Sequence, residues 1–267
     1  MTLVFDGSFK ETDKWLGYGK SFGNWSFSTL LKYDTLVVSK SNRGHDNYSG
    51  KFTQRNGEFG AGDNTVNRAL LGSNQASNWP NNTELWSGFS IKLDPTWIFP
   101  AQSWSLFWEI QQHATLPDGT THAFGGWNMC IQFPNAKNPL RFLQRSQPNG
   151  VYTEYTISDI TPGIWYDIMI HTKLTISNDG FFYVYLRKPG ETEYSKIISK
   201  TGVNTLFTQT PEQGSYRADS AVGYYRGAST ETKSMWLEMV KYGTTRADVE
   251  YPPTECPTPQ CKITISQ

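Results

Sequence analysis

Hydrophobic and polar residues alternate along much of this chain, in short runs separated by residues that favour turns. A period of two predicts β-strands with one face on a core and the other toward solvent. No stretch combines a long helical period with capping residues. Turn-forming clusters such as NRGHDN, LPDGT, QPNG and KPGE lie between the runs. The predicted strands are NWSFSTL, DTLVVSKS, LWSGFSIKL, WSLFWEIQQH, GGWNMCIQF, YTEYTIS, IWYDIMIHTKL, GFFYVYLRK, SAVGYYRG and MWLEMVKYG.

These strands predict one antiparallel sandwich. The chain of 267 residues has an ordinary length for a single large all-β domain. It shows no internal repeat of fixed period, which argues against a propeller or a β-helix. The composition changes only after about Asp248, where the sequence becomes rich in proline. We therefore expect one domain over residues 1–250 and a Pro- and Cys-containing tail over 251–267, packed on the surface.

Composition limits the classes of function. Aromatic residues make up 15% of the chain, which favours strands and suits carbohydrate surfaces, although a large core accounts for most of them. The 24 basic and 24 acidic residues balance, so the overall charge gives no sign of a nucleic acid or an acidic polymer, and any anion site must be local. No apolar run approaches the length of a membrane span. The first residues lack the apolar segment of a signal peptide.

The cysteines indicate a compartment. Cys256 and Cys261 flank the short loop CPTPQC, and we expect a local disulfide there, which suits an oxidising environment. Their spacing fits no zinc pattern. Cys130 is expected to be free and buried.

Three polar residues in one predicted strand are the first candidates for chemistry. In SLFWEIQQHA, side chains two apart project from the same face, so Gln111 and His113 point the same way with Glu109 beside them. An amide, an imidazole and a carboxylate build a poor core but line a polar, concave surface well. Taken alone, the row fits an exposed polar sheet face better than a site.

Two further segments change that balance. Arg68 lies in the strand-like run TVNRALLG. In SAVGYYRG, Ala221, Gly223 and Tyr225 share one strand face, which is nearly bare apart from the phenol. Such small residues would let a ligand approach the backbone closely, although for this segment taken alone a bulge or a packing site explains the glycine better. Arg226, on the opposite face, is expected to be structural.

Together these segments resemble the jelly-roll polysaccharide lyases, which include alginate lyases, glucuronan lyase and heparin lyase I. That superfamily carries, in this order, an Arg-containing strand, a Q-x-H strand and a strand with G-x-Y. The counterparts here are Arg68 in NRALL, Gln111 and His113 in QQH, and Gly223 and Tyr225 in GYY. The resemblance extends over residues 64–243.

The resemblance implies an all-β fold, a concanavalin A-like β-jelly-roll sandwich of two antiparallel sheets with a concave substrate groove. It implies a secreted polysaccharide lyase that cleaves a uronic-acid polymer by β-elimination; a capsule-degrading component of a phage virion would share this chemistry. The expected partner is an anionic polysaccharide, with no nucleic acid, no membrane and a monomeric protein. No redox or nucleotide cofactor is implied. Family members often carry a structural calcium; the resemblance leaves such an ion open here but unassigned, because the sequence shows no EF-hand-like ligand spacing.

The resemblance also implies roles for individual residues. Arg68 and Gln111 would neutralise the substrate carboxylate, and His113 would neutralise it or act as a base. Tyr225 would be the acid and, where geometry allows, also the base. The chain departs from the pattern at Leu70, where the family often has a glutamate that steadies the arginine.

Four further residues are candidates for substrate binding. Glu109 lies beside Gln111, and His171 and Lys173 share a strand face that either extends the groove or forms an exposed edge. His45, in NRGHDN, could reach the groove as an additional base or lie in a plain surface loop.

Two other functions remain open at the level of sequence. One is a non-catalytic carbohydrate-binding module or lectin on the same fold. The other is a glycoside hydrolase, which would need a second carboxylate facing Glu109.

Overall fold

A computed structural model describes residues 3–14, 20–28, 35–41, 43, 48–55, 66–73, 79–99, 104–115, 121–133, 138–147, 150–208, 216–227, 229 and 231–252. Within these ranges the chain forms 16 strands and one short helix. They are β1 (Leu3–Asp6), β2 (Phe27–Ser28), β3 (Leu36–Lys40), β4 (Tyr48–Gln54), β5 (Val66–Gly72), β6 (Trp79–Pro80), β7 (Thr83–Leu93), β8 (Ser105–Thr115), β9 (Thr121–Phe133), β10 (Leu140–Arg145), β11 (Tyr152–Ser158), β12 (Trp165–Leu174), β13 (Gly180–Arg187), β14 (Ser195–Val203), β15 (Tyr216–Gly227), β16 (Lys233–Gly243) and α1 (Arg246–Val249). In this part of the chain no helix is long and apolar enough to cross a membrane.

The strands form two antiparallel sheets. The back sheet has the order β14-β13-β12-β7-β16-β4-β3, with β1 paired to β16. The front sheet has the order β11-β10-β9-β8-β15-β5-β2, with β6 paired to β15. The predicted all-β jelly-roll sandwich is confirmed.

The core lies between the sheets, because alternate residues of each strand face inward. Phe142 of the front sheet stacks on Phe182 of the back sheet with ring centroids 4.8 Å apart. Trp108 and Ile131 from the front sheet join Ile168 from the back sheet in the same buried cluster. Each such side chain contributes about 1.5–3 kcal/mol when fully buried. This packing leaves the outer face of the front sheet free to carry polar groups.

An irregularity in β8 sets which of its residues reach that outer face. The pairing of β8 with β9 shifts between Leu106 and Trp108, so that Phe107 and Trp108 both point into the core. Leu106 packs instead in a separate cluster on the outer face. A bulge of this kind restarts the alternation. Beyond it Glu109 faces outward, followed by Gln111.

Gly223 lies at a second irregularity, and the neighbouring strand explains its glycine better than the close approach of a ligand does. Its φ is +142°, in the region that L side chains rarely adopt, and a Cβ there would lie 2.1 Å from the carbonyl oxygen of Ala69. The pairing of β15 with β8 shifts between Val222 and Tyr225. Glycine is therefore required by the neighbouring strand β5 at a bulge, which is the alternative explanation that the sequence left open.

The described cysteine and the start of the tail are both buried. Cys130 is free and fully buried, as expected. Tyr251 donates a hydrogen bond of 3.0 Å to the carbonyl of Gly88 and so packs on the back sheet. The expected disulfide between Cys256 and Cys261 lies outside the described residues.

Candidate active site

The front sheet brings the three predicted segments side by side. Strand β15 lies between β5 and β8. Tyr225 is directly opposite Arg68 on β5, and Asp219 is directly opposite Gln111 on β8. Residues that face one way along β15 therefore share the outer face of the front sheet with Arg68, Gln111 and His113. The sequence-predicted catalytic residues all lie on one face of one sheet.

Arg68 and Tyr225 are in direct contact. Nη2 of Arg68 donates a hydrogen bond of 3.1 Å to the phenolic oxygen of Tyr225. The guanidinium carbon lies 4.6 Å from the centroid of the same ring. Trp104 packs edge-on against that ring with centroids 4.7 Å apart. The phenol is therefore held in place by an arginine and a tryptophan, with a positive charge beside its oxygen.

Glu109 and Gln111 form a pair next to this contact. Nε2 of Gln111 donates a hydrogen bond of 3.1 Å to Oε1 of Glu109, whose residue is only 2% exposed. Oε2 of Glu109 is buried and makes no hydrogen bond to any residue that the structure describes. Burial raises the pKa of Glu109 to about 7, although the charge of Arg68 and the Gln111 hydrogen bond both act to lower it. Glu109 therefore titrates near neutral pH.

His113 lies further along β8 and is held by a carboxylate. Its Nε2 is 3.3 Å from Oδ2 of Asp219, which projects from β15. Burial lowers the pKa of His113, with Arg217 acting in the same direction and Asp219 opposing both. The imidazole is therefore mainly neutral at pH 7, with Asp219 fixing its orientation.

A cavity of about 360 Å³ lies on the outer face of the front sheet, and Arg68, Tyr225, Glu109 and Gln111 border it. Glu109 is the one carboxylate among the described residues that line it, so the pair of carboxylates expected of a glycoside hydrolase is not found in this lining. His113 is not part of the lining. The lining residues are Arg68, Trp104, Glu109, Gln111, Gly126, Trp127, Gln132, Arg145, Tyr152 and Tyr225.

The far end of the cavity carries residues that the sequence did not single out. The guanidinium of Arg145 stacks over Trp127, 4.0 Å from the ring centroid, and lies 5.7 Å from that of Tyr152. The sequence did not identify Trp127 because the pairing of β8 with β9 shifts register again, between Ile110 and Gln111. This shift turns Asn128 inward and Trp127 outward. The period of two along β10 places Arg145 on the face opposite the buried Phe142, and this is the signal that could have identified it.

His171 and Lys173 do not extend the groove. They lie on β12 in the back sheet, on its outer face, on the opposite side of the sandwich from the cavity. His171 stacks on Trp86 with centroids 4.0 Å apart and bonds Oε1 of Glu84 at 2.7 Å. Lys173 pairs with Asp179. The strand-face prediction was correct, but the face belongs to the other sheet.

The two remaining expectations concern His45 and calcium. His45 lies outside the described residues. Within the described ranges no three His, Cys, Asp or Glu side chains are grouped as metal ligands.

Comparison with known proteins gives a family and a fold. A family model described as polysaccharide lyase matches residues 13–241. Among solved structures, endo-β-1,4-glucuronan lyase from the fungus Trichoderma reesei is similar with a TM-score of 0.59 and 19% identity, over 93% of this chain and 98% of that one. Alginate lyase Aly36B is similar with a TM-score of 0.59 and 10% identity, over 92% and 98%.

A third similar structure is the PL-14 alginate lyase from Aplysia kurodai, with a TM-score of 0.53 and 8% identity, over 92% of this chain and 100% of that one. No curated protein matches the sequence. At these identities the structural likeness shows the fold alone.

Proposed function

The chain belongs to the polysaccharide lyase family, and on that premise we propose that it cleaves a uronic-acid polysaccharide by β-elimination in the cavity of the front sheet. The observation that carries the proposal is the contact between Arg68 and Tyr225 at the wall of that cavity, with Gln111 on the same face. A carboxylate binder, a phenol and an amide are the groups that this reaction needs.

Arg68 and Gln111 are assigned to the substrate carboxylate. The C5 proton of a uronate is only weakly acidic while the neighbouring carboxylate carries its full charge. A guanidinium can bind that carboxylate with two parallel charge-assisted hydrogen bonds. The Gln111 amide can donate a further bond to the charge that develops as the proton leaves.

Tyr225 is assigned to both proton transfers. Its oxygen, as phenolate, takes the C5 proton; the electron pair of the C5–H bond becomes the C4–C5 double bond. The C4–O bond breaks, and the leaving oxygen takes the proton from the phenol, which returns to its starting state. His113 is the second candidate for base, because its imidazole is mainly neutral. Tyr225 is preferred because it lines the cavity and His113 does not.

The substrate is assigned as a chain of uronates that crosses the strands. Four strand spacings of about 4.8 Å separate β5, which carries Arg68, from β10, which carries Arg145. A cavity with an arginine at each end suits a polymer with repeated carboxylates better than a single sugar. The likeness to a glucuronan lyase and to alginate lyases makes glucuronan and alginate the first polymers to test.

We also propose that the protein works outside the cell as a monomer. A polymeric uronate is too large and too charged to cross a membrane, so its degradation begins outside. Size-exclusion chromatography with light scattering would check the oligomeric state.

The test is a panel of glucuronan, alginate, hyaluronan and heparin followed by ultraviolet absorbance. A lyase creates a conjugated C4–C5 double bond at the new non-reducing end, whereas a hydrolase or a lectin does not. We expect absorbance to rise with at least one polymer and to need Tyr225. Binding without absorbance on any member would favour the lectin, and new reducing ends without absorbance would favour a hydrolase.

A further inference from the structure

A buried carboxyl group lies in the wall of the proposed carboxylate site, where a negative charge on it would repel the substrate. Glu109 lines the same cavity as Arg68, and it accepts a hydrogen bond from Gln111. If Glu109 were ionised, it would repel the uronate that Arg68 and Gln111 are assigned to bind. The repulsion would be strong, because buried charges are little screened by water.

The surroundings of Glu109 favour the neutral acid. Its partners across the sheet are Ala221 on β15 and Cys130 on β9, neither of which offers a strong hydrogen bond to the carboxyl group. One oxygen, Oε1, accepts the bond from Gln111, and the other, Oε2, is buried without a hydrogen-bond partner among the described residues. A buried polar atom with no partner costs stability, so a ligand that supplies the partner gains binding energy.

We propose that Glu109 acts as a neutral carboxylic acid whose Oε2 hydroxyl donates a hydrogen bond to the carboxylate of the sugar that loses its proton. This inference rests on the proposed function. Glu109, Gln111 and Arg68 then form one set of donors around that carboxylate. The hydrogen bond becomes stronger as negative charge develops, which stabilises the transition state more than the bound substrate. No proton is transferred from Glu109.

The charged and titratable groups around Glu109 leave this protonation state accessible. Burial is the largest influence and raises its pKa, while the positive charge of Arg68 opposes it. A bound uronate would add a negative charge and exclude water, and both effects would raise the pKa further. Among the described residues, the titratable side chains that face or share the cavity with Glu109 are Arg68, Cys130, Arg145, Tyr152 and Tyr225.

The rival role is an ionised Glu109 that steadies Arg68. The chain has Leu70 where the resembling superfamily often has such a glutamate, and Glu109 could replace it from β8. The two roles predict opposite changes of activity with pH. A neutral donor is lost as the pH rises through the pKa of Glu109, whereas an ionised partner of Arg68 is gained.

The experiment compares Glu109→Gln with Glu109→Met on glucuronan or whichever panel polymer is cleaved, with kcat and KM measured from about pH 5.5 to 9. Glutamine keeps the shape, accepts from Gln111 through its oxygen and donates through its amide at every pH. We expect the ratio of wild-type kcat/KM to that of Glu109→Gln to fall about tenfold per pH unit above about pH 7, because only the wild type loses a proton at this position while every other titration is common to both proteins. At about pH 6, Glu109→Gln should stay within about tenfold of wild type, and Glu109→Met should lose about 10²–10³-fold, the usual effect of one oxyanion donor.

Two outcomes would overturn the inference: a kcat/KM that rises through pH 7 in wild type and not in Glu109→Gln, or a Glu109→Gln variant as inactive as Glu109→Met. Thermal melting of both variants separates a failure to fold from a loss of activity.

A spectroscopic readout does not depend on turnover. In the Tyr225→Phe variant with an oligoglucuronate bound at about pH 7.5, we expect an infrared band of a protonated carboxyl that Glu109→Gln removes. Absence of that band overturns the inference while wild type still forms unsaturated product. If no polymer of the panel gives product, the proposed function fails, and an infrared titration of the unliganded protein still shows whether Glu109 is protonated near pH 7.

Discussion

Nη2 of Arg68 lies 3.1 Å from the phenolic oxygen of Tyr225, and the two residues are directly opposite each other on the adjacent strands β5 and β15. They are 157 residues apart in the chain. The guanidinium therefore has two tasks in the proposed reaction. It binds the substrate carboxylate, and it stabilises the negative charge on the phenol oxygen when that oxygen serves as the base.

Tyr225→Phe removes one hydroxyl and keeps the ring. Packing on Trp104 and the stacking of Arg68 should remain, so the melting temperature should change little. We expect kcat to fall by about 10²–10⁴-fold, the usual effect of a positioned acid or base. Tyr183→Phe, on the outer face of the back sheet, is the matched control and should keep full activity. Near-parental turnover in Tyr225→Phe would transfer the role of base to His113.

Arg68→Lys keeps the positive charge and loses the planar guanidinium with its two parallel N–H donors. A lysine cannot bind a carboxylate with two parallel hydrogen bonds, nor reproduce the contact with Tyr225. We expect KM to rise and kcat to fall, so that kcat/KM decreases by about 10²-fold or more. Arg141→Lys, also in the front sheet but outside the cavity lining, is the control. Equal and small effects of the two substitutions would contradict the assignment of Arg68.

Arg145→Ala removes the cation at the far end of the cavity. Because Arg145 is remote from Tyr225, we expect a higher KM with kcat nearly unchanged, which is the signature of lost substrate binding. The rise should be about tenfold on polymer, equivalent to about 1.4 kcal/mol. Arg141→Ala, on the same strand, serves as the comparison. A fall in kcat with constant KM would instead indicate a part in the chemical step.

Asp167 in the back sheet is expected to control stability rather than activity. It is 3% exposed and accepts hydrogen bonds from Arg43 and Arg187. Burial alone would raise its pKa, but the arginines and the hydroxyl of Ser90 hold that pKa below its usual range. Asp167→Ala leaves two buried cations without this partner and should cost about 3–5 kcal/mol of unfolding free energy.

The pH dependence follows from the sign of that shift. A carboxyl group whose pKa is lower in the folded state stabilises the fold above its unfolded pKa, and this contribution disappears as the pH falls through the folded value. The difference in stability between wild type and Asp167→Ala, measured by urea unfolding, should therefore be largest at neutral pH and shrink in strong acid. A difference that stays constant down to about pH 2 would show that the carboxylate charge is not responsible.

The arrangement of the site could be predicted in part, because alternation and motif order are local properties. In SAVGYYRG the alternation placed Arg226 on the face opposite Tyr225, and Arg226 is buried there together with Val222 and Tyr224. The three motifs identified Arg68 and Tyr225 before any contact between them was known. Which strands are neighbours, however, depends on how the whole chain folds.

Register shifts explain several residues that the sequence missed. Strict alternation places Trp127 on the same face as Met129, but a change of register turns Trp127 outward while Met129 stays in the core. Such a shift depends on the neighbouring strand, so it has no signal in the sequence of β9 alone. The same limit applies to Gly223, because the carbonyl of Ala69 on another strand leaves no room for a side chain there.

The sequence by itself determined the class of fold, the faces of most strands and the residues proposed for catalysis. Alternation with a period of two and short motifs depend only on residues that are close together in the chain. Only the tertiary structure decided which sheet each strand joins. That assignment put His171 and Lys173 on the far side of the sandwich and brought Arg145 into the cavity beside Trp127. It also enclosed Glu109, since the exposure of a carboxyl group depends on neighbours from several strands and not on its own position in the sequence.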